Sequence, residues 1–159
     1  MRRTALMLAM LLALSVSVYG QSATKSPPLT LKTLEGRKFN LSDYRGKVVL
    51  LNFWATWCPP CGAEMPALIK MQREYRSKGL QVIGVTSPPQ EAAEVRRFIR
   101  KLGVNYPIAL GTKEMKALFA QTEVLPLTII IDRQGMVHDL IEGILLPQEF
   151  EQKIKPLLH

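Results

Sequence analysis

The sequence predicts a mixed α/β domain built around a partly parallel sheet, and three observations carry that prediction. Residues 48–53 and 80–86 are apolar on successive positions, as strands covered on both faces must be. Helical patterns fill the intervals after them, so consecutive strands are joined by crossovers and lie parallel. Near the C-terminus, residues 127–132 and 136–141 are two short apolar stretches joined by Arg133-Gln134-Gly135, the pattern of an antiparallel hairpin.

Taken in chain order, the elements begin after a leader. Arg2 and Arg3 precede an uncharged, mostly apolar stretch over residues 4–19. A basic start and a short apolar segment match a secretory signal, shorter than the 18 or more residues that argue for a spanning helix. The expectation is that residues 1–20 are a cleaved signal, with cleavage after Gly20, or an uncleaved N-terminal membrane anchor. No cysteine stands near this segment, which excludes lipid attachment through a thiol there. Either way the rest of the chain lies outside the cytoplasm, where disulfides persist. Residues 21–28 are polar and end in Pro27-Pro28, and read as a linker to a single domain over residues 29–159.

Residues 29–34 and 37–41 alternate in polarity on either side of Glu35-Gly36, which predicts an N-terminal β-hairpin. Tyr44-Arg45-Gly46-Lys47 is a further turn. The strand at 48–53 follows, then a helix from Pro59 with Leu68, Met71 and Tyr75 on one face and Gly79 as its stop. After the strand at 80–86, Ser87-Pro88-Pro89-Gln90 leads into a helix marked by Val95, Phe98, Ile99 and Leu102 and ended by Gly103. A short strand at 107–110 and a short helix at 112–120 precede the terminal hairpin. A last helix is expected from Pro147 to Leu157.

The net charge is +8 with no long run of one sign. Arg96, Arg97, Arg100 and Lys101 share one helix, where a solvated face explains them. Nothing suggests nucleic-acid recognition.

The chemistry lies in the two cysteines, Cys58 and Cys61, the only ones in the chain. A structural disulfide closing so short a loop gives only about 2 kcal/mol. A zinc site needs four ligands, and the remaining candidates are the distant His138 and His159. Haem attachment requires a histidine after Cys61, where Gly62 stands. A peroxide-reducing cysteine usually follows a Pro-x-x-x-Thr pattern, whose places hold Leu51 and Ala55. A Cys-x-x-Cys at a strand-to-helix junction instead points to thiol–disulfide exchange. Cys58 stands at the helix start, where free N–H groups and the helix dipole favour a thiolate. It is the attacking sulfur, and Cys61, deeper and one turn along, resolves the mixed disulfide. Pro59 and Pro60 fit the first helical positions.

The stretch Asn52-Phe53-Trp54-Ala55-Thr56-Trp57-Cys58-Pro59-Pro60-Cys61-Gly62-Ala63-Glu64-Met65-Pro66 resembles the active-site block of the TlpA/ResA/CcmG group of extracytoplasmic thioredoxin-like proteins. The similarity runs from about Leu29 onward, and includes the leading hairpin and a helix–strand insertion at 91–110. It implies a thioredoxin-like fold, a mixed central sheet flanked by helices, and reduction of disulfides in cytochrome c maturation or related envelope pathways.

The resemblance also gives roles to residues. Glu64, three positions past Cys61, matches a functional acid that tunes the thiol or moves the resolving proton. Thioredoxin has a buried aspartate where this chain has Asn52, which cannot titrate. Pro126 matches a cis-proline facing the cysteines, and the backbone of Leu125 before it would pair with the client chain. Leu127 follows where the group usually has Thr, so the likeness does not transfer partner identity. Trp54 is expected in the core, and Trp57 partly exposed and touching clients. His138 alternates outward.

The reading is thus an extracytoplasmic protein-disulfide reductase, a monomer, needing no metal or organic cofactor beyond its redox-active disulfide. Its partners are disulfide-bearing clients, apocytochrome c among them, and a membrane thiol electron donor. The alternatives are a thiol oxidase or isomerase on the same fold, and a copper-delivery module using the two cysteines as soft ligands.

Overall fold

The computed structural model describes residues 24–159; the leader over residues 1–20 lies outside the described residues. Among those described, no helix is long and apolar enough to cross a membrane. Eight strands form: β1 (Thr24–Lys25), β2 (Thr30–Lys32), β3 (Lys38–Asn40), β4 (Val48–Trp54), β5 (Leu80–Thr86), β6 (Ile108–Ala109), β7 (Leu127–Ile131) and β8 (Met136–Glu142). The helices are α1 (Pro59–Tyr75), α2 (Ala92–Leu102), α3 (Lys113–Ala117) and α4, which starts at Pro147–Glu149.

Six strands make the main sheet in the order β1-β8-β7-β4-β5-β6, with β2 and β3 a separate hairpin. β4, β5 and β6 are parallel to one another, while β7 runs antiparallel to β4 and to β8. This is the mixed, thioredoxin-like sheet that the sequence predicts. The hairpin is fixed to the β6 edge by a bridge between Thr33 and Ala109 and by the Leu34 N–H to Ile108 carbonyl bond.

The reason β4 is apolar throughout lies in the two cores it divides. Val48, Leu50 and Trp54 face one core with Cys58, Cys61, Met65, Leu68, Val95 and Phe150. Val49, Leu51 and Phe53 face the other, closed by the hairpin, with Leu31, Ile83 and Ile129. The period of two places Asn52 on the same face as Leu50 and Trp54, toward α1.

Two segments differ from the sequence reading. Thr24 and Lys25, assigned there to a linker, pair with Val137 and Met136 as the outer strand of the sheet. The last helix is not regular. After the turn Pro147–Glu149 it widens to a π turn over Phe150–Ile154 and tightens to 3-10 geometry over Lys155–Leu158. Pro156 is the cause: it has no N–H for the carbonyl four residues back, and its ring crowds that carbonyl.

Arg133, in the β7–β8 turn, ties the far end of the sheet together. Its guanidinium donates to the carbonyls of Gly46 (2.8 Å), Lys78 (3.0 Å), Leu157 (3.2 Å) and Leu158 (2.9 Å). One side chain thus links the start of β4, the end of α1 and the last turn of the chain, whose terminal carbonyls have no helical partner. Arg133→Ala should cost about 2 kcal/mol and Arg133→Lys about half of that, read as a lower urea midpoint with unchanged slope.

Candidate active site

β4 ends at Trp54, and the turn 55–57 carries the chain to the first residue of the site. Cys58 is the N-cap of α1, with extended backbone angles (φ −96°, ψ 102°), and Pro59 and Pro60 occupy the first two helical positions. Neither proline has an N–H. The donor that reaches the Cys58 sulfur is therefore the amide of Cys61, at 3.2 Å. The Cys58 N–H itself donates to the Ala55 carbonyl, which closes the turn. Sequence reasoning placed Cys58 at the helix mouth, and the structure agrees.

Cys58 and Cys61 are joined as a disulfide. Cys58 is 6 % exposed and Cys61 1 %, so the first sulfur is the one nearer to solvent. Trp57, 62 % exposed, stands beside it, whereas Trp54 is fully buried. The order of depth is the one that exchange chemistry requires: an attackable sulfur outside, a resolving sulfur within.

Glu64 lies one turn beyond Cys61 on α1, with its side chain almost wholly removed from solvent. Its Oε2 accepts from Asn52 Nδ2 (2.9 Å) and its Oε1 from the backbone N–H of Leu145 (2.7 Å). Burial pushes its pKa up, the two hydrogen bonds pull it part of the way back, and the nearby Glu149 carboxylate adds to the rise; the result is about 6. Asn52 is thus more than a non-titrating replacement. Its amide holds Glu64 with one hydrogen and Thr128 Oγ1 (3.0 Å) with the other.

The Leu125–Pro126 peptide bond is cis, as the resemblance implies, and so is Ser87–Pro88, which nothing in the sequence singled out. Leu127 pairs with Phe53 across β7 and β4, so Leu125 and Pro126 emerge at the sheet end where the cysteine turn begins. Leu125 packs against the core that contains both sulfurs, and the Pro126 carbonyl accepts from Gly143 N–H at 2.8 Å. The structure therefore gathers Trp57, Cys58, Cys61, Glu64, Leu125 and Pro126 at one end of the sheet. His138 is exposed on β8. Among the described residues, no group of three or more His, Cys, Asp or Glu is arranged to hold a metal.

Four participants escaped the sequence reading. Thr128 could have been suspected, since it stands opposite Asn52 once β4 and β7 are paired. The Leu145 amide carries no side-chain signal at all. Gln90 and Glu94, which reach Thr56 from the other side, have polar side chains unremarkable in sequence.

Comparison with known proteins adds a family match, two relatives and two solved structures. The family model described as "AhpC/TSA family" matches residues 23–140. The chain is 41 % identical over 136 residues to the thioredoxin-like protein YneN of Bacillus subtilis, covering 84 % of this chain and 79 % of that protein. It is 31 % identical over 164 residues to the thiol-disulfide oxidoreductase ResA of Geobacillus thermodenitrificans, covering 98 % and 94 %. Among solved structures, a thiol:disulfide interchange protein from Chlorobium tepidum superposes with a TM-score of 0.77 at 27 % identity, over 86 % of this chain and 97 % of that one. A DsbF homologue from Corynebacterium diphtheriae gives the same TM-score at 25 % identity, over 87 % and 89 %.

Proposed function

Because the chain belongs to the AhpC/TSA family, within its ResA-like thiol–disulfide oxidoreductases, we propose that it acts outside the cytoplasm as the reductant of client-protein disulfides, apocytochrome c among them. The protein is a thiol–disulfide oxidoreductase of thioredoxin fold. The observation that carries the mechanism is the stacking of depth along α1: Cys58 at the mouth, Cys61 beneath it, and the buried Glu64 one turn further.

The Cys58 thiolate attacks one sulfur of a client disulfide, and the other client sulfur leaves as a thiolate and takes a proton. Glu64, ionised above about pH 6, accepts the Cys61 proton. The Cys61 thiolate then attacks the Cys58 sulfur, and the second client sulfur leaves and is protonated. Two electrons have passed to the client, and the Cys58–Cys61 disulfide is the oxidised product. A membrane thiol donor returns the pair to the dithiol, since the compartment keeps no soluble thiol pool reduced. The dithiol carries the electrons, and neither metal nor organic cofactor takes part. Trp57 and the Leu125 backbone are the surfaces that meet the client chain.

Trapping tests this reading. Cys61→Ala cannot resolve, so Cys58 should be recovered from cell envelopes disulfide-linked to proteins that carry haem-attachment cysteines. Recovery of copper-site assembly proteins alone would redirect the client assignment. The potential tests the direction: equilibration with glutathione should give a value near thioredoxin's, about −270 mV, and a value near about −120 mV would make the protein an oxidase.

A further inference from the structure

The turn that ends in the nucleophile is held from outside its own strand and helix. Thr56, two residues before Cys58, donates its backbone N–H to Gln90 Oε1 at 2.8 Å. Its hydroxyl donates to Glu94 Oε1 at 2.6 Å. Glu94 stands in the first turn of α2, within the helix–strand insertion, and Gln90 in the segment that leads into it. The same leading segment and helix touch the site at three more points. Ser87 N–H donates to the Trp54 carbonyl, the Phe98 ring stacks on Trp54 with centroids 5.5 Å apart, and Phe98 Cζ lies 3.5 Å from where a side chain at Gly62 would begin.

Gln90 carries a further sign. An N–H donor needs an oxygen, so Thr56 fixes which end of the Gln90 amide faces it. The other end, Nε2, is then buried with no hydrogen-bond partner among the described residues. A buried donor left unpaired is unfavourable, so what Gln90 contributes here is its oxygen.

We infer that Gln90 and Glu94 are positioning residues for Cys58, acting through Thr56, and that the insertion is a wall of the active site. The physical reason is the pair of prolines. An N-cap side chain accepts from the amide of the second or third helical residue, and with proline at the first two positions only the Cys61 N–H is left to donate to Cys58 Sγ. With a single bond to a diffuse acceptor, a small rotation of the Cys58 backbone loses the stabilisation of the thiolate. The Cys58 N–H to Ala55 carbonyl bond restrains the turn from within. The two bonds to Thr56 restrain it from α2.

The test is the pH dependence of Cys58 alkylation by iodoacetamide in the reduced full chain, read by mass spectrometry. Gln90→Ala and Thr56→Val should each slow alkylation at pH 7 by about fivefold, by raising the titration midpoint, and leave the rate at pH 10 unchanged. Glu94→Gln keeps an acceptor for the hydroxyl and should stay within about twofold of the parent at pH 7, whereas Glu94→Ala should follow Thr56→Val. Thr56→Val is nearly isosteric and tests the hydroxyl bond to Glu94 alone; Gln90→Met, of like size but without the amide oxygen, should match Gln90→Ala and serves should that variant fail to fold. The inference is overturned if folded Thr56→Val and Glu94→Ala keep the parent's midpoint, or if the variants slow alkylation equally at every pH, as general loosening would.

Discussion

Cys58→Ser is expected to remove disulfide reductase activity, by more than about a thousandfold, because a hydroxyl does not exchange with disulfides and the deeper sulfur cannot take over. Cys61 is 1 % exposed beneath the first turn of α1, out of a client's reach. Cys61→Ser should behave differently. It keeps the attacking sulfur and loses the resolving one, so a single stoichiometric mixed disulfide forms and turnover stops. Insulin reduction and a gel-resolved mixed disulfide separate the two variants. Should Cys58→Ser instead trap the stoichiometric mixed disulfide and Cys61→Ser form no adduct, the roles of the two sulfurs are reversed.

Glu64→Gln has the second largest effect, and it moves activity and stability in opposite directions. Without a base beside Cys61, resolution should slow by about a hundredfold, and the acid limb of the rate profile near pH 6 should vanish. Mixed disulfide should accumulate as in Cys61→Ser, but resolve on standing. For stability, the folded pKa of about 6 lies above the usual 4.5. Between those values the native state binds the proton more tightly than the unfolded chain does. Glu64 thus contributes most below pH 4.5, and that contribution, about 2 kcal/mol, is lost as pH rises through 6. Glutamine does not titrate. The difference in urea stability, variant minus parent, should therefore grow by about 2 kcal/mol from pH 4.5 to pH 8. The site can accept the amide: if Asn52 turns over, its oxygen takes the glutamine N–H, and the Thr128 hydroxyl donates where it had accepted. A difference that does not change with pH would show that Glu64 titrates normally.

Both predictions rest on features of unequal visibility. The cysteine pair was legible because its chemistry is local: spacing sets the loop, and the preceding apolar run and following prolines set the strand and the helix start. The same locality made β4, β5, α1, α2 and the terminal hairpin readable. Gly79 and Gly103 mark helix ends that adopt positive φ (93° and 68°), a conformation a Cβ disfavours. Local reading failed where a partner lay elsewhere. Thr24 and Lys25 look like linker because two polar residues have no strand signal, yet β8 offers them an open edge. The last helix looks regular by its apolar spacing, and the single residue Pro156 rewinds it.

The sequence by itself determined the reactive pair, its place at a strand-to-helix junction and the alternation of strands and helices, since each depends on residues within one or two turns of one another. The tertiary structure alone decided what surrounds that pair. Burial gives Glu64 its raised pKa, Leu145 and Asn52 arrive from 81 and 12 residues away to hold its two oxygens, and Gln90 arrives from 34 residues away to hold Thr56. Desolvation and hydrogen bonding depend on distance in space. Chain spacing shows which groups carry charge or a proton, and only packing shows which of them water no longer reaches.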